Sequence, residues 1–527
     1  MRSRRGCAPV QLGLLLWAPL AAAFCAAQTV TILHEFQGTD GAAPYAKLVQ
    51  GPDGALYGTT TYTTNANGVT NGSGTIFRVT KSGSFTTLHS FSATNPPVAG
   101  LVVGPDGNLY GTTGYDCDAS GLAVGATLAG DGSVFAITPA GDYFTTLQTF
   151  PSLPAGALML GSDGNFYGAT VDTVFKMAPD GTSTILHTFA PAEGVDICKL
   201  AQGPDGTLLG AAVSGGADAV SNGPPGGGTV FELSPAGALV FESFQTPFTS
   251  TNGGPCDNPG PAGSAPVGGL TLGPGGKYYG LAYCGVSEEG GLYDVTDAGS
   301  VAFLNLYPAT PPLSPPPNLG PMLPSGDLTL GSDGNFYGVV FQGGVNGGGA
   351  IFSMAVDGTI SIVYSFYSSD GWPQGGIVEG SDGRFYGTTS GGPSQFGLVY
   401  KLTMLPPAPS GVTARAGSSA IALSWTGVTS ANTYSVFEGT AAGKESSTAV
   451  QTGITGTTAT ITGLTSGTTY YFTVSAVNEA GTGPNSVEVS ATEAAATPAP
   501  SGSGGGGGLE FFSVIGLALI VVARRLA

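Results

Sequence analysis

Along residues 29–403, short apolar runs rich in β-branched and aromatic residues are cut by clusters of Gly, Pro, Asp and Ser. That punctuation predicts strands joined by tight turns. Four strands can be read in each period: A before a glycine motif (AKLVQ), B within and after it (ALYGTT), C (GTIFRVT) and D (SFTTLHSF).

The glycine motif recurs seven times: GPDGALYG (51), GPDGNLYG (104), GSDGNFYG (161), GPDGTLLG (203), GPGGKYYG (273), GSDGNFYG (331) and GSDGRFYG (380). Successive starts lie 53, 57, 42, 70, 58 and 49 residues apart, the range of propeller blades rather than helical solenoids. After each copy comes a C element such as Ile76-Phe77-Val79, and after six of them a D strand ending in an aromatic. The seventh unit lacks its D strand, yet TVTILHEF at 29–36 matches the missing piece (compare TTLHSF at 86–91). A strand left over at one end that fills a vacancy at the other predicts circular closure, which pairs otherwise exposed sheet edges. The expected fold is all-β: a seven-bladed β-propeller over 28–403, four strands per blade, closed by the N-terminal strand.

The GxDGNxYGTT and GTVFxLTPxG elements resemble bacterial GloVer-type tandem repeats, a group that implies fold and location more than a reaction. Residues 404–494 read differently. Trp425 in ALSW, Tyr434 in TYSVFEG and TTYYFTVSAVNEAGTG resemble a fibronectin type III β-sandwich. The resemblance makes Tyr470 the tyrosine of the E–F corner, with Phe472, Val474 and Ala476 pointing inward. Such domains act mostly as spacers.

Composition supports many turns between strands. Glycine is 89 of 527 residues and charged residues only 9%, while hydrophobic residues at 41% argue against disorder. Arg2, Arg4 and Arg5, an apolar run from Leu12 to Phe24 and then small residues predict a signal peptide over 1–27, cut after Ala27. Cys25 raises a lipoprotein alternative, which bulky Phe24 before it disfavours. A linker at 495–508 precedes an apolar segment at 509–527 that ends in Arg524 and Arg525. Together, Gly507, Gly508, the apolar segment and the arginines resemble GlyGly-type C-terminal sorting signals, which imply cleavage near the glycines by a rhomboid-like intramembrane protease. A plain tail anchor is the alternative. Removing both ends leaves ten basic residues against up to 34 acidic ones, a charge near −24. That excludes nucleic acid and anionic membrane surfaces as partners, so membrane contact runs only through the C-terminus. The expected product is an exported monomer at the outer surface or outside the cell.

A catalytic residue should break the repeat rather than obey it. His34, His89 and His187 share one D-strand slot, where other copies carry Gln148, Glu242, Asn305 and Tyr364, so they predict a half-exposed sheet position and no catalytic or metal role. The motif aspartates, Asp53, Asp106, Asp163, Asp205, Asp333 and Asp382, fit Asp-Gly hairpin turns better than calcium ligands, and Gly275 replaces one of them. The motif tyrosines (Tyr57, Tyr110, Tyr167, Tyr279, Tyr337, Tyr386) predict core packing, because Leu209 substitutes for one. No catalytic residue, metal ligand or cofactor is expected.

Loop length does break the repeat. Insertions at 114–131, 211–227, 245–267 and 308–324 all fall in B–C or D–A connections, which share one face. Cys117 and Cys284 sit at B–C loops and Cys198 and Cys256 at D–A loops of that face, and an exported compartment favours disulfides. Of three pairings, Cys256–Cys284 with Cys117–Cys198 is preferred, since the first two flank one blade. The leading function is a non-enzymatic surface protein presenting this face to a glycan or a protein. The alternatives are a propeller enzyme, since GPDGNLY with a TPxG turn also resembles streptogramin-lyase and gluconolactonase-like propellers, and an architectural envelope component. Loop acids Asp116, Asp118, Asp131, Glu288 and Glu289 are the only candidates for the enzymatic reading.

Overall fold

The computed structural model describes residues 3–5, 28–64, 73–92, 96–97, 99–114, 132–216, 228–243, 264–284, 291–295, 301–305, 324–417 and 419–493. It is all-β. Two compact units divide the chain: the larger holds residues 1–409 with 427–434 and 475–485, the smaller the remainder.

In the larger unit each glycine motif joins strand A to strand B of a four-stranded antiparallel sheet. The third copy shows the plan: Pro154–Leu160, Phe166–Thr170, Thr173–Met177 and Ser183–Thr188 pair in sequence order. Among the described residues, five sheets have this form. A nine-stranded sheet contains the rest, where the A strands Pro324–Leu330 and Trp372–Glu379 meet through one parallel bridge, Asp327 opposite Gly376. Within it, Thr29–Glu35 pairs antiparallel with Leu398–Thr403 and supplies the D strand that the seventh repeat lacks. Ser3–Arg5, in the segment read as a leader, lies along the outer edge of Thr29–Glu35.

The core lies between sheets. Tyr57 and Ile76 of the first sheet pack with Leu101, Leu109 and Phe135 of the second. Equivalent layers join every later neighbour, ending with Tyr386 and Val399 of the seventh against Leu48, Leu56 and Phe77 of the first. Burying one such aromatic contributes on the order of 2–3 kcal/mol. The Thr388 hydroxyl donates to the Pro44 carbonyl at 2.7 Å, so last and first sheets are also hydrogen bonded.

Motif glycines are seats for rings. In the third copy, a Cβ on Gly161 would stand 2.4 Å from the Tyr167 ring, and one on Gly168 2.6 Å from the Phe175 ring. Between them Gly164 takes φ +77° in the Asp-Gly turn, with open space around it.

Residues 407–492 form two facing sheets. Thr413–Ala416, Ala420–Ser424 and Thr458–Thr462 make one, and Gln451–Ile454, Thr433–Gly439, Thr469–Asn478, Gly481–Asn485 and Val489–Thr492 the other. Phe472, Val474 and Ala476 are fully buried, as expected of strand F. Thr465 N–H donates to the Tyr470 hydroxyl at 2.8 Å, which is the corner contact. Among the described residues no helix is long and apolar enough to cross a membrane; 494–527 lie outside them.

Candidate functional site

The repeated residues are occupied with structure. The Tyr167 hydroxyl donates to Asp163 Oδ2 at 3.0 Å, and Asp163 Oδ1 accepts from Asn165 N–H at 3.1 Å. The same Tyr-to-Asp bond recurs at Tyr57, Tyr110, Tyr337 and Tyr386. Burial pushes the Asp163 carboxyl up, but Lys176, Asn165 and Tyr167 outweigh it and hold it below the usual carboxylate range. In the copy with Leu209, Asp205 turns instead to the Thr207 hydroxyl at 2.8 Å. In the fifth copy the charges are exchanged: Lys277 in the motif meets Asp294 on strand C at 2.7 Å, where Asp53 and Asp163 meet Arg78 and Lys176.

The histidines serve the sheets as well. His34 stacks on Phe85 and His89 on Phe144 of the next D strand, with centroids 3.6 and 3.8 Å apart. His34 contacts Asp40 at 2.9 Å and His187 contacts Glu193 at 3.2 Å.

Of the cysteines, Cys198 lies inside the A strand Val195–Gln202 rather than in a D–A loop, and Cys284 closes the B strand Tyr278–Cys284. Cys117 and Cys256 fall outside the described residues, as do Asp116, Asp118, Asp131, Glu288, Glu289 and most of the four insertions. Ala27, Gly507, Gly508, Arg524 and Arg525 also lie outside them. Among the described residues no group of three or more His, Cys, Asp or Glu side chains is arranged to hold a metal ion.

A cleft of about 920 Å³ opens elsewhere on the B–C and D–A face. Its walls come from short connections of the sixth, seventh and first repeats, including Tyr45, Tyr62, Phe341 and Trp372 with Gln342, Gln374 and Gln395. Trp372 is 43% exposed although its neighbour Gln374 is buried, where the Gln374 amide donates to the Ser390 hydroxyl at 3.1 Å. Gln395 and Ala43 hold φ of 65° and 53°, uncommon for residues with a Cβ. Backbone bonds lock them: Ala43 N–H to Phe396 carbonyl at 2.9 Å, Gln395 N–H to Gly392 carbonyl at 3.0 Å and Gly397 N–H to Gly391 carbonyl at 2.6 Å. Strain held by a fixed loop beside a cleft is typical of a binding site. Sequence reasoning looked to the long insertions and missed this cleft. The available signal was Trp372, the sole tryptophan in 28–403.

A second group of repeat-breaking residues lies at the inner strands. Lys199 of the fourth repeat pairs with Asp327 of the sixth, and Lys47 of the first reaches the Leu328 carbonyl at 3.4 Å. Asp327 also accepts from Gly269 N–H at 2.7 Å. Withdrawal from solvent pushes the Lys47 ammonium down to about 8, against the pull of Asp327 and with the repulsion of Lys199. Burial raises the Asp327 carboxyl, but Lys199 and Lys47 hold it below the usual range.

Residues 22–172 match the family model of the Gloeobacter/Verrucomicrobia repeat, and residues 407–492 that of the fibronectin type III domain. The chain carries both modules. No curated protein matches it. Among solved structures, a streptogramin B lyase is similar at 18% identity over 72% of this chain and 98% of its own, with a TM-score of 0.46. A Xanthomonas campestris gluconolactonase is similar at 12% identity over 72% and 92%, TM-score 0.35. An Fn3-like protein from Clostridium thermocellum is 36% identical over 16% of this chain and 90% of its own, TM-score 0.15. These likenesses carry no activity to this chain.

Proposed function

We propose that this is an exported, non-enzymatic surface protein whose repeats close into a seven-bladed propeller that binds a saccharide in the Trp372 cleft. The observation that carries the reading is the lining itself. Aromatic faces at Tyr45, Tyr62, Phe341 and Trp372 suit the apolar faces of sugar rings, and the exposed amides of Gln342 and Gln395 suit their hydroxyls. The signal peptide, the GlyGly-type C-terminus and the two disulfides complete the proposal, with the type III domain as spacer.

The test is a glycan array of the purified full chain, in detergent, against its Trp372→Ala variant. Binding of a saccharide by the native chain and its loss on substitution supports the reading. Binding that survives the substitution, or none on the array, removes it. Turnover of a bound saccharide would move the protein to the enzyme class.

A further inference from the structure

We infer that Lys47, Lys199 and Asp327 form a monoanion-binding site within the ring of inner strands, suited to a carboxylate or an ion of similar size and charge. The three residues come from repeats one, four and six, which are not sequence neighbours. Side chains from such repeats meet only across the interior of the ring. At this register the other repeats carry Gly100, Ala157, Gly269 and Gly376, so charge is concentrated in three positions of an otherwise small-residue level.

The charges do not balance. Asp327 is buried and has both oxygens occupied, one by Gly269 N–H and one by Lys199. Among the described residues Lys47 Nζ makes one hydrogen bond, a long one to a neutral carbonyl. Two ammonium groups thus face one carboxylate in a protein whose net charge is −19. Burying an uncompensated charge is costly, and a monoanion between Lys47 and Lys199 would neutralise the excess. The position also adjoins the cleft. Tyr45 and Gln374 line it, Lys47 stands two residues beyond Tyr45, and Gly376, which pairs with Asp327, two beyond Gln374. The anion therefore has two sources: a free ion, or the carboxylate of an acidic saccharide entering from the cleft.

The experiment titrates sodium acetate into the full chain in zwitterionic buffer, with sodium sulfate at matched ionic strength as control, following thermal stability. A parallel calorimetric arm compares tri-galacturonate with maltotriose. Saturable stabilisation by acetate beyond the sulfate control supports the site with a free ion. Binding of tri-galacturonate alone supports it with the carboxylate of a ligand. In either arm Lys47→Met is expected to weaken binding about tenfold or more, and Lys47→Arg to retain it. Asp327→Asn removes the competing carboxylate and should tighten anion binding. No binding in either arm, binding unchanged in Lys47→Met, or an Asp327→Asn variant that binds no tighter overturns the proposal and leaves a structural ion cluster. Acetate binding does not require the saccharide reading: Trp372→Ala should leave it intact, so failure of the glycan array with acetate still bound removes the cleft assignment alone.

Discussion

The glycine motif comes in two spellings, GS and GP, and the spelling foretells its neighbour. Ser162, Ser332 and Ser381 face Gln202, Glu379 and Gln50, the last A-strand residue of the following repeat. After Pro52, Pro105, Pro204 and Pro274 the same position holds Val103, Leu160, Leu272 and Leu330. The physical reason is donor accounting: serine offers an N–H and a hydroxyl that an amide or carboxylate can use, while proline has neither. The rule holds at the seventh-to-first junction, where Ser381 N–H donates to Gln50 Oε1 at 2.8 Å and Gln50 Nε2 donates to Ser381 Oγ at 3.0 Å.

Gln50→Leu removes both bonds and a third, 3.1 Å from Gln50 Nε2 to the Gly54 carbonyl, which is lost in the single and double variants alike. At about 0.5–1.5 kcal/mol per bond, the single variant should cost about 1.5–3 kcal/mol. Ser381→Pro should cost a similar amount and also removes a 2.9 Å bond from Lys81, a loss common to the single and double variants that cancels in a double-mutant cycle. The double variant recreates the GP spelling with its apolar partner, so the cycle should show a coupling of about 1–2 kcal/mol in urea unfolding. Gln202→Leu with Ser162→Pro, an interior pair joined by one bond of 2.7 Å, should give a smaller coupling of about 0.5–1.5 kcal/mol. Additivity at Gln50–Ser381 to within about 0.5 kcal/mol, beside clear coupling at Gln202–Ser162, would refute closure between the last repeat and the first.

Two further outcomes follow from the packing and the charges. Gly168→Ala places a Cβ 2.6 Å from the Phe175 ring and 2.8 Å from Leu158, and should destabilise by about 1–3 kcal/mol or more. Gly164→Ala meets open space and should cost only about 1–2 kcal/mol from its left-handed φ, so urea unfolding that ranks Gly164→Ala as the worse of the two contradicts the ring-seat account. Lys47 has a folded pKa of about 8, below the 10.5 of a free lysine, so the unfolded chain binds more protons between those values and stability should rise with pH across that window. Lys47→Met should flatten the rise in pH-dependent unfolding, while the facing charges, Asp327 and Lys199, remain.

Repetition made much of the fold legible. Seven copies of one motif fixed the strand positions, and TVTILHEF at 29–36 disclosed its own partner because only one repeat lacked a D strand. The local duties of Asp163 and Tyr167 were legible for the same reason, since a hairpin turn and the ring over it are set within a few residues. The site was harder to read. The Trp372 cleft is assembled from short loops of repeats six, seven and one, and no single loop is unusual in length. Joining residues 45 and 372 requires knowing that the first and last repeats meet.

The exceptions in the repeat separate into two physical kinds. Some are compensated within one sheet: Gly275 loses the motif carboxylate, and Lys277 with Asp294 restores an ion pair of opposite polarity at the same place. Such changes preserve the sheet and need no ligand to explain them. Lys47, Lys199 and Asp327 differ, because among the described residues no acidic side chain of its own repeat pairs with either lysine, and their contacts reach across to the sixth. A substitution tolerated for folding alone would be expected to settle its charge nearby, where the geometry is rigid and the partner is a few ångströms away. Charges that are met only across the ring depend on the assembled structure, so the interior of the ring and the cleft beside it, rather than the motif, are where selection on binding would act.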